Sequence, residues 1–329
     1  IMNLIKTILT LVFCFSVFSL NSYSYADACY SPDTKPLLLE EDKKPGRYFE
    51  DQPDITDEHQ VHIIYSLLAD SKDNEGDING DVEKWIKNAD KWILKKTKNA
   101  NKSGGSQTLR WDKRKDGKLD ISFIRFNKTS KHMKKSQYGS CDNVFARTIL
   151  KHGFNDPKKI YLNFGDFKFK EWPYSVGYPL FNIFTKHGSE KLTKQDFGYF
   201  VLHESLHAMG GIYECSPNYF EGHNTKNNKS SGDLMARQVG SGKRNLDPKK
   251  DDYWDHNISD CPDMRDSVFF TPTSSTPYSP FEITCLNKED WIISNKNLKN
   301  SIDDCYYSSG RDLKFSTMKY NGKEVKLRK

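Results

Sequence analysis

The sequence predicts an α+β fold, with a twisted mixed sheet of four or five strands packed on two long helices. Three observations predict it. Short apolar runs bounded by Gly, Asn and Asp recur at 61–68, 108–113, 120–126 and 160–164, which is how buried strands read. Two longer segments, near 81–93 and 193–209, repeat apolar residues at helical spacing. The remaining connections are long and carry cysteines, so disulfide-stapled loops are expected.

Taken in order, Lys6, the apolar run Ile8 to Leu20 and the small residues of Ser24-Tyr25-Ala26 read as a secretory signal at 1–26, cleaved after Ala26. An uncleaved anchor is the competing reading. Nothing later is apolar enough to span a bilayer, so a secreted or periplasmic protein with no membrane attachment after cleavage is expected. Residues 27–58, rich in Pro, Asp and Lys without periodicity, predict an extended leader. The main domain is expected over 59–262, and 263–329 as a C-terminal extension packed on it.

Within the main domain, Val61 to Leu68 is a buried strand. The acidic loop Asp70 to Asp81 lacks the ordered spacing of an EF-hand and reads as a solvated turn feeding a helix capped by Asp81. That helix buries Val82, Trp85, Ile86, Ala89, Trp92 and Ile93. Asp116-Gly117 marks a turn between the strands 108–113 and 120–126. A short helix at 142–152 and the strand Ile160 to Phe164 follow, and 166–190 reads as a structured loop. The second long helix starts at Thr193, with Asp196 three residues on as an approximate capping box, and ends at Gly210-Gly211. A long loop then runs to about residue 262.

Seven cysteines include Cys14 inside the signal, which leaves Cys29, Cys141, Cys215, Cys261, Cys285 and Cys305. An even number in an exported chain predicts disulfides, and Cys29–Cys141, Cys215–Cys261 and Cys285–Cys305 are the expected pairs. The formal charge is +6, and lysines alternate with acids as in Lys249-Lys250-Asp251-Asp252. That is a solvated surface, so no nucleic-acid partner is expected. A monomer is expected.

The chemistry concentrates on His203-Glu204-Ser205-Leu206-His207. Two histidines four apart on a helix present both imidazoles to one ion, and the intervening Glu can reach a water held there. Zinc is the expected cofactor, with His203 and His207 as ligands and Glu204 as general base. Cysteine-peptidase chemistry has no nucleophile motif to rest on, and Asn182 and Asn224 carry no signal for it. The acidic cluster Asp247, Asp251, Asp252, Asp255 and Asp260 is read as pairing with nearby lysines rather than holding calcium.

The run His203 to Tyr213 resembles the metzincin metallopeptidases, with Gly210 at that family's glycine. The resemblance implies a third ligand three residues past the glycine, where this chain has Tyr213. His223, in Glu221-Gly222-His223-Asn224, is the expected replacement, and Glu214, Glu221 and Asp233 are its rivals. Ser231-Gly232-Asp233-Leu234-Met235-Ala236 is similar to the family's methionine turn, which implies Met235 as an apolar floor beneath the histidines. Tyr213 would bond the oxyanion or the attacking water. The stretch 60–270 also looks like a group of secreted bacterial metallopeptidase-like proteins that share Leu246-Asp247-Pro248 through Tyr253 followed by a Cys. The resemblance implies a metzincin-like (zincin) fold and hydrolysis of a protein or peptide. Two other readings stand beside it: an inactive binding protein that kept the fold, and a zinc amidase acting on cell-wall peptide. One strand edge, Asp120 to Phe126 or Ile160 to Phe164, is expected to face the cleft.

Overall fold

The computed structural model describes residues 35–102, 105–135 and, with interruptions, 145–285, together with strands at 316–320 and 323–328. The expected signal, Cys29, Cys141 and Cys305 lie outside the described residues.

The central sheet has the order β3-β1-β4-β6-β5. Strand β1 (Gln60–Leu68) runs parallel to β3 (Ile121–Phe126) on one side and to β4 (Lys159–Phe169) on the other. Strand β6 (Leu180–His187) continues the parallel set, and β5 (Tyr174–Gly177) closes it as an antiparallel edge. The two-residue β7 (Glu190–Lys191) also pairs with β6. All nine residues of β1 are buried. Parallel strands are covered on both faces, which is why this segment reads as an unbroken apolar run. Val61, Ile63, Tyr65 and Leu67 belong to the core shared with the two long helices, while His62, Ile64, Ser66 and Leu68 alternate onto the other face.

Helix α1 (Asp81–Ala100) supplies the crossover from β1 to β3 that a parallel pair needs. It buries Val82, Ile86, Ala89 and Ile93, with Trp85 and Trp92 packed at the rim. Asp81 is not its cap. Gly80, at φ 87°, holds the N-cap position without a side-chain bond, and Asp81 opens the helix, where its charge suits the positive end of the dipole. A short helix, α2 (Ser130–Lys135), follows β3. Helix α3 (Lys194–Ala208) packs on α1 so closely that a Cβ at Gly198 would lie 2.9 Å from Trp92 Cβ.

The segment 166–190 corrects the loop expected there: it holds the end of β4, all of β5 and β6, and the start of β7. Ile183 and Phe184 are both buried, so β6 is covered on both faces and shows no alternation by which to recognise it. Strand β2 is also shorter than expected, Thr108–Leu109, with Trp111 and Lys113 making isolated bridges. The turn at Asp116-Gly117 is present, with Gly117 at φ 78° and its N–H donating to Arg114 O at 2.8 Å.

Residues 35–58 are not extended throughout, since Glu40–Asp42 forms a 3-10 turn, and they bridge to β3 through Leu37 to Arg125 and Tyr48 to Ser122. The buried Arg125 guanidinium grips Asp42 through Nε–Oδ2 at 2.8 Å and Nη2–Oδ1 at 2.6 Å. Arg47 reaches Asp77 at 2.7 Å and Asp73 at 2.8 Å, so a guanidinium fills the acidic loop. Past the boundary expected at 262, Met264, Phe269 and Phe270 belong to the same core, and β10 (Phe270–Thr271) pairs with β2. Strands β11 (Ile283–Cys285), β12 (Ser316–Tyr320) and β13 (Lys323–Arg328) form a separate antiparallel sheet. No helix among the described residues is long and apolar enough to cross a membrane.

Candidate metal centre

Every residue of α3 from Phe197 onward is buried. A helix enclosed all round normally carries apolar residues throughout, so His203, Glu204 and His207, at 6%, 5% and 8% exposure, need a reason to be there. One turn of helix sets the two imidazoles side by side, with ring centroids 4.8 Å apart. The short hairpin of β8 (Tyr219–Phe220) and β9 (His223–Asn224) brings in a third ring. His223 lies 4.5 Å from His207 and 5.6 Å from His203, centroid to centroid. The Nε2 atoms of His207 and His223 are 3.1 Å apart. One nitrogen from each of the three rings falls within 4.8 Å of the others.

The Nδ1 of His203 lies 2.7 Å from the Leu234 carbonyl. A carbonyl only accepts, so Nδ1 carries the proton and the lone pair of Nε2 is left for the site. Burial pushes the His203 imidazole down to about 3, helped by His223, against the opposing pull of that carbonyl. The ring is therefore neutral, as a metal ligand must be. Glu204 Oε1 stands 4.0 Å from His203 Nε2. Behind His203, Tyr199 Oη is 3.4 Å from Nδ1, and the Arg244 guanidinium stacks 3.6 Å over the Tyr199 ring.

Leu234 belongs to the turn that resembles the methionine turn. Asp233 Oδ1 accepts from Met235 N–H at 2.7 Å, and Met235 is fully buried. Of the rival third ligands, Asp233 is not grouped with the imidazoles. Its carboxylate takes Met235 N–H, Tyr253 O–H at 3.0 Å and the Asn224 amide at 3.0 Å. Glu214 and Glu221 lie outside the described residues. Tyr213 is buried in the core and its hydroxyl donates to Met209 O at 3.3 Å, a bond it would have to give up to reach an oxyanion.

The Cys215–Cys261 disulfide is formed, with an S–S distance of 2.04 Å, and ties the loop after α3 to the chain ahead of Met264. The acidic cluster does more than pair with lysines. Asp247 Oδ2 accepts the N–H groups of Asp252, Tyr253 and Trp254 at 2.8–3.0 Å, while Asp255 meets Lys250 and Arg265. Among the described residues, two other groups have the spacing of a metal site. In the first, Asp51, His62, Asp112 and Asp120, the Lys159 ammonium bonds Asp51 at 2.7 Å and Asp112 at 2.8 Å. The chain supplies the cation itself. In the second, Asp247, Asp251 and Asp252, the Asp247 and Asp252 carboxylates are taken up by backbone and side-chain donors. Leu234, Asn224 and Asp252 carried no signal as functional residues in the sequence, because each acts through a contact between distant loops.

No family model matches the chain, and no curated protein matches it. Among solved structures it is similar to wild-type OgpA from Akkermansia muciniphila in two crystal forms. One match has 14% identity and a TM-score of 0.31 over 55% of this chain and 53% of that chain. The other has 14% identity and a TM-score of 0.34 over 64% and 62%. The chain thus spans less than two thirds of these neighbours' length, and the functional reading rests on its own residues.

Proposed function

We propose that this chain is a secreted zinc metallopeptidase in which His203, His207 and His223 hold the metal and Glu204 is the general base. The observation that carries the reading is the meeting of three imidazoles beside a buried carboxylate, with one of them delivered from a separate hairpin. Two nitrogens bound to one tetrahedral zinc lie about 3.3 Å apart, given Zn–N bonds of roughly 2.0–2.1 Å. The 3.1 Å between His207 and His223 fits that geometry. Three imidazoles with one open position suit a catalytic zinc.

Zinc, when bound, polarises a carbonyl and acidifies water. Glu204 takes the proton of the attacking water and returns it to the leaving amine. Leu234 O keeps the His203 tautomer fixed, and Met235 closes the floor. Helix α3 packs against β5 and β6. Neither strand expected at the cleft edge can serve: β4 is flanked by β1 and β6, and β3 is covered by residues 35–58. The antiparallel edge β5 is the strand on which we place an extended peptide.

Glu204→Gln tests the reading. Peptide hydrolysis should fall by at least about a hundredfold, the scale of losing a general base, with metal content unchanged. A variant as fast as the parent would sink the mechanism. Parallel digests of casein and peptidoglycan separate a peptidase from a cell-wall amidase.

A further inference from the structure

His223 stands ten residues past Tyr213, on a strand of two residues. So short a hairpin does not hold its own shape in water, yet a metal ligand must be held to within about half an ångström. Something beyond the hairpin must fix it. Successive residues of a strand face opposite ways. His223 faces the helix imidazoles, and Asn224 points into a buried polar network. The Asn224 amide donates to Asp233 Oδ2 at 3.0 Å and to Asp252 Oδ2 at 2.7 Å. Its backbone N–H donates to Met235 O at 2.9 Å. The other oxygen of Asp252 accepts from Ser216 Oγ at 2.9 Å and from the backbone and amide N–H groups of Asn218 at 3.0 and 2.9 Å.

We propose that Asn224 and Asp252 are positioning residues for the third metal ligand, an inference that rests on the three-histidine reading. One amide shared between two buried carboxylates ties the His223 strand to the turn that also orients His203. Through Asp252 it ties the same strand to the start of the insertion, next to Cys215. The residue type follows from the chemistry. An amide NH2 has two protons, one for each carboxylate. Aspartate at 224 would put a third carboxyl group where a double donor is needed, and alanine would leave both acceptors short of a donor.

The test uses the full chain and four proteins: parent, Asn224→Ala, His223→Ala and the double variant. In the metal-free chain, hydrogen exchange at 219–224 should speed up in Asn224→Ala while 194–208 keeps its protection. Unchanged protection at 219–224 overturns the proposal. Zinc affinity, read by competition with a chromophoric chelator, should weaken about ten- to a hundredfold in Asn224→Ala, as for other residues that orient a ligand. In the His223→Ala background the same change should cost nothing further. A further tenfold loss there would mean that Asn224 acts through another group. If Asn224→Ala does not fold, Asn224→Ser, which keeps one donor, carries the same comparison with a smaller expected loss. A parent that binds no zinc overturns the metal reading and this inference together; a parent that binds zinc as tightly as Asn224→Ala overturns this inference alone.

Discussion

Around residues 35–58, Asp42 is buried against Arg125, the partly buried Asp73 and Asp77 meet Arg47, and the partly buried Asp51 and buried Asp112 meet Lys159. Beneath the histidines, Asp233, Asp247 and Asp252 are buried against backbone N–H groups, an amide and hydroxyls. The same residue type serves two ends. A guanidinium or ammonium brings a full opposite charge, which binds two segments of chain firmly. A ring of N–H and O–H donors brings direction without a full charge, so it fixes geometry and leaves burial less well compensated. The carboxyl groups reflect this. Burial acts to raise Asp73, but Arg47, the Glu75 N–H and Lys44 outweigh it and hold it low, whereas the more deeply buried Asp77 stays raised although it also meets Arg47. Burial drives Asp233 up to about 7, against its bonds from Met235 and Tyr253. The docked leader is held by charge, and the ligand-bearing loop by shape.

Breaking the first kind of contact should have the largest effect. Arg125→Ala leaves the buried Asp42 with only Arg47, at 4.0 Å, and should cost about 3 kcal/mol, the low end for breaking a buried pair. Urea unfolding measures the loss, and exchange should show 35–58 released first. A loss below about 1 kcal/mol, the scale of an exposed pair, would mean that the seam is not charge-held. Asp252→Asn comes next. It removes one acceptor and offers donors to donors, at about 1–3 kcal/mol, with the stapled loop 213–224 loosened and the leader untouched.

The last test reads the pH response of the loop. The folded carboxyl of Asp233, at about 7, lies above its value in the unfolded chain, about 3.9. The folded state therefore keeps a proton that the unfolded state has lost between those values, and stability falls as pH rises through that window. Asp233→Asn in the metal-free chain should flatten the slope of melting temperature between about pH 4 and 7. An unchanged slope would place the titration elsewhere.

Much of the site is legible in the sequence because its spacing is local. His203 and His207 share a helix face whatever surrounds the helix, and Glu204 follows from the same turn. His223 is legible only as one imidazole among carboxylate rivals, since it arrives across an insertion whose path no local rule specifies. The misreadings have the same origin. Asp81 suits a cap by type, but Gly80, at φ 87°, makes the turn into the helix. Residues 166–190 lack alternation because β6 is enclosed on both faces. Asn224, an unremarkable polar residue in the chain, acquires a role only when Asp233 and Asp252 converge on it.

By itself the sequence determined what short-range geometry and composition can encode: the central strand, both long helices, the turn at Asp116-Gly117 and the pair of imidazoles with the carboxylate between them. Tertiary structure alone decided that β5 forms the antiparallel edge of the sheet, that residues 35–58 bridge to β3 at the opposite edge, and that Cys215 meets Cys261. The physical reason is range. Backbone periodicity repeats within a few residues, whereas burial, charge pairing and a shared hydrogen bond depend on groups that only the folded chain brings within about 3 Å.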